Sequence, residues 1–149
     1  MSSIATNRQA HHKYELFDKY EAGIALKGAE VKSVREGRVN LKDSFVRIVK
    51  GEAFLLNCHI SPYSHIQDIR LADPTRMRKL LLKRTEIDRL SGQISRKGHT
   101  AVPLSIYFKK GLAKVEIAVA RGKREYDKRE TLRRRIAERE AQRAVKSRK

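Results

Sequence analysis

Two stretches late in the chain alternate apolar and polar residues with period two: Val102, Leu104, Ile106 and Phe108, then Val115, Ile117 and Val119. That period puts every second side chain on one face, so each stretch predicts a strand with a buried side. Lys109-Lys110-Gly111 lies between them, and Gly111 can take the left-handed conformation that a three-residue hairpin loop needs. Phe45-Val46-Arg47-Ile48-Val49 and Glu52-Ala53-Phe54-Leu55-Leu56 around Lys50-Gly51 predict a second hairpin. The aromatic and β-branched run from Tyr14 to Leu26 supplies one or two more strands.

Helices are expected between them. Ala29 to Glu36 carries Val31 and Val34 three apart and stops at Gly37. Asp73-Pro74 reads as a helix start, an Asp cap with Pro at the first helical position, followed by Met77, Leu80 and Leu81 on one face. Thr85-Glu86 opens another, with Ile87, Leu90 and Ile94, closing near Gly98. Strands and helices do not alternate regularly, which excludes a doubly wound parallel sheet. The expected fold is mainly β with inserted α: a small antiparallel barrel of the oligonucleotide-binding kind with about three packed helices.

The charge is extreme and uneven. The 149 residues hold 35 Lys+Arg against 17 Asp+Glu, a formal net of +18, and a chain that basic needs a polyanionic partner. From Arg121 to Lys149 there are 13 Lys+Arg and 5 Asp+Glu, a net of +8 that leaves +10 for the rest. The composition breaks at Arg121-Gly122-Lys123, giving an expected body of residues 1–120 and a basic arm of 121–149. The arm's stripe of Leu132, Ile136, Ala141, Ala144 and Val145 is too thin to dock. Its Ala, Arg, Glu and Gln are good helix formers. It is therefore expected to be disordered when free and to fold as a helix against RNA, about 30 Å long for twenty residues. No apolar run approaches a membrane span, the N-terminus does not read as a signal peptide, and the single Cys58 forms no internal disulfide. A soluble cytoplasmic protein with no membrane partner is the expectation.

Nothing in the sequence assembles a catalytic centre. His11, His12, His59, His65 and His99 lack the spacing of a zinc site, and adjacent His11 and His12 on an extended chain point to opposite sides. Cys58 reads as a small buried hydrophobe, and there is no phosphate-cradling glycine loop. No cofactor and no metal are expected, and no enzyme. Binding chemistry is better represented. Arg8, His11, His12 and Lys13 lead into Tyr14, and cations that meet phosphate beside a ring that stacks on a base suit unpaired RNA. Glu21 and Glu30 are isolated carboxylates able to accept hydrogen bonds from base amino groups; the plainer reading of each is a surface salt bridge. Alternatives to a specific RNA binder are a basic structural ribosomal protein and a small ribonuclease working through His11 or His12.

An ordered string of motifs narrows this. It runs through Asn7-Arg8, Tyr20-Glu21-Ala22-Gly23-Ile24, Gly28-Ala29-Glu30-Val31-Lys32-Ser33 and Gly37-Arg38-Val39-Asn40-Leu41-Lys42-Asp43-Ser44. It continues through Asp73-Pro74-Thr75-Arg76, Lys114-Val115-Glu116-Ile117, Gly122-Lys123 and Tyr126-Asp127-Lys128-Arg129. In this order the motifs resemble the bacterial small protein B family, the SsrA-binding proteins. The resemblance implies an oligonucleotide-binding-like barrel that binds the transfer-RNA-like domain of transfer-messenger RNA and brings it to stalled ribosomes for trans-translation. It implies as partners that RNA, the ribosome at its small-subunit decoding centre and message channel, and elongation factor Tu in the delivery complex, with the protein acting as a monomer. Residues matching the family's RNA contacts are Asn7, His12, Glu21, Leu81 and Lys114, to which the basic and aromatic chemistry above adds Arg8 and Tyr14. Those matching its tail, which senses the empty message channel and becomes helical on the ribosome, are Gly122, Lys123, Tyr126, Asp127, Lys128 and Arg129. Gln9 and Ala29 depart from the family pattern.

Overall fold

Two Lys-Gly pairs make the tight turns from which the sheet grows. Lys50 and Gly51 have φ of 51° and 75°, and Lys110 and Gly111 of 52° and 77°. Two successive positive φ values match the right-handed twist of the flanking strands. The structure is a computed structural model, and it describes residues 3–62 and 73–123. The first pair joins β4 (Phe45–Val49) to β5 (Glu52–Leu56), the second β8 (His99–Lys109) to β9 (Leu112–Gly122). Because Lys109 pairs with Leu112, the second loop is two residues long, not the three expected.

The remaining strands are β1 (Ala5–Thr6), β2 (Tyr14–Ile24), β3 (Val39–Asn40), β6 (His59–Ile60) and β7 (Arg78–Leu81). Antiparallel pairing runs from β8 through β4, β5, β7, β2 and β9 and returns to β8, a ring of six strands. The seam between β4 and β8 is thin, a single register pair of Val46 with Ala101. β1 lies on the same edge of β8, at Ser105 and Ile106. β3 and β6 form a separate two-stranded ladder. Among the described residues, three helices pack around the ring: α1 (Arg8–Lys13), α2 (Gly28–Arg35) and α3 (Arg84–Ile94). None is long and apolar enough to cross a membrane.

The ring encloses the main core, with Tyr20, Ala22 and Ile24 of β2, Leu55, Leu80, Ile106, and Val115, Ile117 and Val119 of β9. Val34 of α2 and Leu90 of α3 belong to the same core. A second cluster of Ala10, Val102, Leu104, Ala118 and Ala120 lies on the other face of β8 and β9, under α1. The predicted stripe 102, 104, 106, 108 does not face one core. A bulge between Pro103 and Ser105 adds a residue, which reverses the facing of everything beyond it. Val102 and Leu104 therefore meet α1, while Ile106 and Phe108 meet the main core.

Two further expectations fail. Asp73 caps a turn: its Oδ1 accepts from Thr75 N at 3.0 Å and from Thr75 Oγ1 at 3.3 Å. The chain beyond is strand β7 rather than helix. Leu80 lies between Ala53 of β5 and Ile24 of β2, so the ring needs a strand there, and Arg78 and Leu80 point in while Lys79 and Leu81 point out. His11 and His12 sit on α1, not on an extended chain. Adjacent residues do not share a helix face either, and among the described residues no three His, Cys, Asp or Glu gather as a metal site.

Candidate nucleic-acid interface

Strand register brings three of the predicted residues to one place. On β2, Gly23 pairs with Leu81 of β7 on one side and with Lys114 of β9 on the other. Residues opposite each other across a ladder share a face, so Leu81 and Lys114 flank Gly23 on the outside of the ring. Glu21, two residues earlier, shares that face. Leu81 is 55% exposed, although its apolar character alone would assign it to a core. Gly23 keeps the row tight: a Cβ there would lie 3.2 Å from Leu81 Cβ.

Glu21 is held in place. Tyr107 Oη donates to its Oε2 at 2.5 Å and Lys109 Nζ lies 3.3 Å from its Oε1. The hydrogen bond from Tyr107 is the largest influence on the Glu21 carboxyl and lowers its pKa, with Lys109 and Lys114 acting the same way. Burial and the bond to Glu21 push the Tyr107 phenol well up, so it stays a donor at neutral pH. Glu116 lies directly opposite Glu21, a like-charge pairing that is costly across a ladder and that Lys109 and Lys114 offset. Ser3, Glu21, Ser105, Tyr107, Lys109 and Glu116 line an open groove of about 380 Å³. Carboxylates, which can accept hydrogen bonds, thus stand beside ammonium groups, a pairing chemically suited to base amino groups and phosphates. Tyr107, Lys109 and Glu116 were not among the predicted site residues. Alternation with the inward Ile106 and Phe108, and with Val115 and Ile117, already turns these three outward; the register that brings them beside Glu21 is what the sequence does not contain.

At the opposite end of β2, Tyr14 pairs with Gly122. α1 leads into Tyr14 from Asn7, whose backbone is bonded to Leu104 of β8, and Arg8 and His12 on this helix are exposed. Seven strand residues separate Tyr14 from Glu21, roughly 23 Å. Asn7 plays an internal part: it is 5% exposed, its side-chain oxygen accepts from Ala10 N at 3.2 Å, and its amide donates to Pro103 O at 2.9 Å and Leu41 O at 3.3 Å. Asn7 N also donates to Leu104 O at 2.7 Å. Asn7 caps α1 and docks it on carbonyls of the β8 bulge, so its side chain positions Arg8 and His12 rather than offering itself outward. Tyr126, Asp127, Lys128 and Arg129, and the expected tail helix, lie outside the described residues.

Glu30 belongs elsewhere. It accepts from Lys27 N at 2.8 Å, from Arg76 Nε at 3.2 Å and 3.1 Å, and from Arg78 Nε at 2.7 Å. Arg78, with a fully buried side chain, also donates to Cys58 O at 2.7 Å and Pro74 O at 3.0 Å. Burial raises the Glu30 carboxyl, but hydrogen bonds from Arg76, the Lys27 backbone and Arg78 outweigh it and hold the pKa below the usual value. Both carboxylates form ion pairs: Glu21 an exposed one with Lys109, and Glu30 a half-buried one with Arg76 and the fully buried Arg78.

Comparison with known proteins agrees across nearly the whole chain. The family model described as SmpB protein matches residues 4–147. The SsrA-binding protein of Geobacillus kaustophilus is 54% identical over 145 residues, 97% of this chain and 93% of that protein. That of Caldicellulosiruptor bescii is 57% identical over 143 residues, 96% and 90% respectively. That of Rubrobacter xylanophilus is 53% identical over 148 residues, 99% and 98%. A solved structure described as "tmRNA-SmpB: a journey to the center of the bacterial ribosome" contains a chain 51% identical to this one, with a TM-score of 0.68 and coverage of 80% of this chain and 83% of that one. The chain belongs to the SmpB family.

Proposed function

We propose that this protein is an RNA-binding adaptor of trans-translation: it binds the transfer-RNA-like domain of transfer-messenger RNA and delivers it to stalled ribosomes. The observation that carries the reading is the row Leu81–Gly23–Lys114 with Glu21 beside it, because residues distant in sequence converge there on one exposed face with RNA-binding chemistry. Glu21, Leu81 and Lys114 meet the RNA on that face. Arg8 and His12 of α1, positioned through Asn7, form a second contact together with Tyr14 at the helix's end. Gly122 and Lys123 root the tail, and Tyr126, Asp127, Lys128 and Arg129 engage the decoding centre as the tail senses the empty message channel. The protein acts as a monomer in a delivery complex with elongation factor Tu. It works by binding, and peptide transfer belongs to the ribosome.

Capture from a bacterial lysate with the full chain tests the reading. Recovery of one small stable RNA with a transfer-RNA-like end is expected, and recovery of bulk RNA in proportion to abundance would overturn it. Removing residues 127–149 separates the two ends of the molecule. Affinity for transfer-messenger RNA should stay near that of the full chain while tagging of stalled chains is abolished; a large loss of affinity would make the tail a general RNA anchor.

A further inference from the structure

At the end of the ring that carries the tail root, β2 bulges between Leu16 and Lys19. Bulges re-aim side chains, and Phe17 is left 41% exposed. Its ring stacks on His99, with centroids 5.5 Å apart and planes at 30°. His99 Nδ1 lies 3.1 Å from Lys97 O; a carbonyl only accepts, so Nδ1 carries the hydrogen and the ring is held. Asp18 Oδ2 accepts from Arg89 Nη2 at 2.8 Å and from Gln93 Nε2 at 2.7 Å, and Gln93 Oε1 accepts from Tyr20 Oη at 2.5 Å. These bonds tie α3 to the bulge and fix the walls of a cavity of about 220 Å³. It is lined by Phe17, Asp18, Gln93, Arg96, His99 and Val119.

The lining is an assembled set. Phe17 and His99 offer aromatic surface, Val119 an apolar floor, Arg96 a cation, and Asp18 and Gln93 polar edges. Packing explains a buried aromatic pair, but here the pair stands at the mouth of an open cavity with a guanidinium beside it. A stacking ring, a cation for phosphate and polar groups for a base edge are what holds an unpaired nucleotide. The volume lies below the roughly 300–1,000 Å³ of sites for drug-sized ligands, which fits a single base. His99 also pairs with Arg121, so the cavity adjoins the root of the tail.

We infer that this cavity takes one unpaired nucleobase of RNA, stacked against Phe17 and His99 with Arg96 on its phosphate. The inference rests on the RNA-binding function proposed above and adds a site remote from Glu21, Leu81 and Lys114. The base comes from transfer-messenger RNA or from ribosomal RNA, and two arms separate the sources. Full-length parent, Phe17→Leu, Arg96→Ala and, as a reference, Glu21→Gln are titrated against purified transfer-messenger RNA and against ribosomes carrying a truncated message, after thermal melting shows that each is folded. Phe17→Leu keeps the apolar packing and removes the stacking face. It should lose affinity roughly five- to a hundred-fold, the range for removing one base stack, with Arg96→Ala following it in the same arm. Loss in the first arm assigns the base to transfer-messenger RNA, and loss in the second to the ribosome. Parental affinity of both variants in both arms, while Glu21→Gln weakens the first, overturns the pocket. A parent that ignores transfer-messenger RNA overturns the functional reading itself, and this inference with it.

Discussion

Glu21 and Glu30 begin alike, two carboxylates nine residues apart in a chain of net charge +18. Glu21 stands on the outer face of β2, held by one phenol and one lysine at the edge of a groove. Glu30 lies in the first turn of α2 with a side chain 13% exposed, between an arginine that is partly open and one that is fully buried. A buried carboxylate between guanidinium groups leaves an uncompensated charge if it is removed. A solvated one whose hydrogen bonds can be exchanged is available to a ligand. Charge and residue type are the same; burial separates a structural group from a candidate contact.

The largest effect should come from Glu30→Ala. It strands Arg78 inside the fold and should cost about 3–5 kcal/mol in denaturant unfolding, with RNA binding by the remaining folded protein little changed. A cost below about 1 kcal/mol would place Glu30 with the exposed pairs. Acid unfolding sharpens the same contrast. The Glu30 carboxyl is held below its ordinary 4.5 in the fold, so its stabilising effect is present above that value and is lost as pH falls through the lower folded-state pKa. The urea midpoint of Glu30→Gln, lower at neutral pH, should therefore fall less between about pH 5 and pH 3 than that of the parent; parallel curves would break the assignment.

Glu21→Gln should do the reverse. Unfolding should match the parent, while affinity for transfer-messenger RNA falls roughly ten-fold, the scale of one lost base-edge contact. Equal binding would move the interface away from this face. The smallest effect is expected from Gly23→Ala. The new Cβ presses on Leu81 Cβ at 3.2 Å, an atom that moves only with the β7 backbone, so that strand must shift by a few tenths of an ångström and stability should drop by about 1 kcal/mol. RNA affinity should still weaken several-fold as Leu81 is displaced, which isothermal titration would detect.

Much of the architecture was legible. Both Lys-Gly hairpins, the helix ending before Gly37 and the helix holding Leu90 follow from local pattern and turn chemistry, which act within a few residues. The misread segments are those where distant partners decide. Arg78-Lys79-Leu80-Leu81 satisfies a helical face and a strand alternation equally well, and only β2 and β5 on its two sides select the strand. Asn7 carries a family motif, but its work on Leu41, Pro103 and Leu104 depends on carbonyls up to 97 positions away that a bulge exposes. Tyr107 and Lys109 alternate outward with Ile106 and Phe108, but only the strand register sets them beside Glu21.

By itself the sequence determined the basic charge, the strand-rich character, the family and the residues carrying its motifs, because composition, periodicity and motif order are properties of the chain read in line. Only the tertiary structure decided which of those residues meet. It set Leu81 and Lys114 on either side of Gly23, gave Glu21 to the surface and Glu30 to the interior, and opened the cavity beside Phe17. Register, bulges and burial are relations between segments far apart in the chain, and a period read along one segment does not contain them.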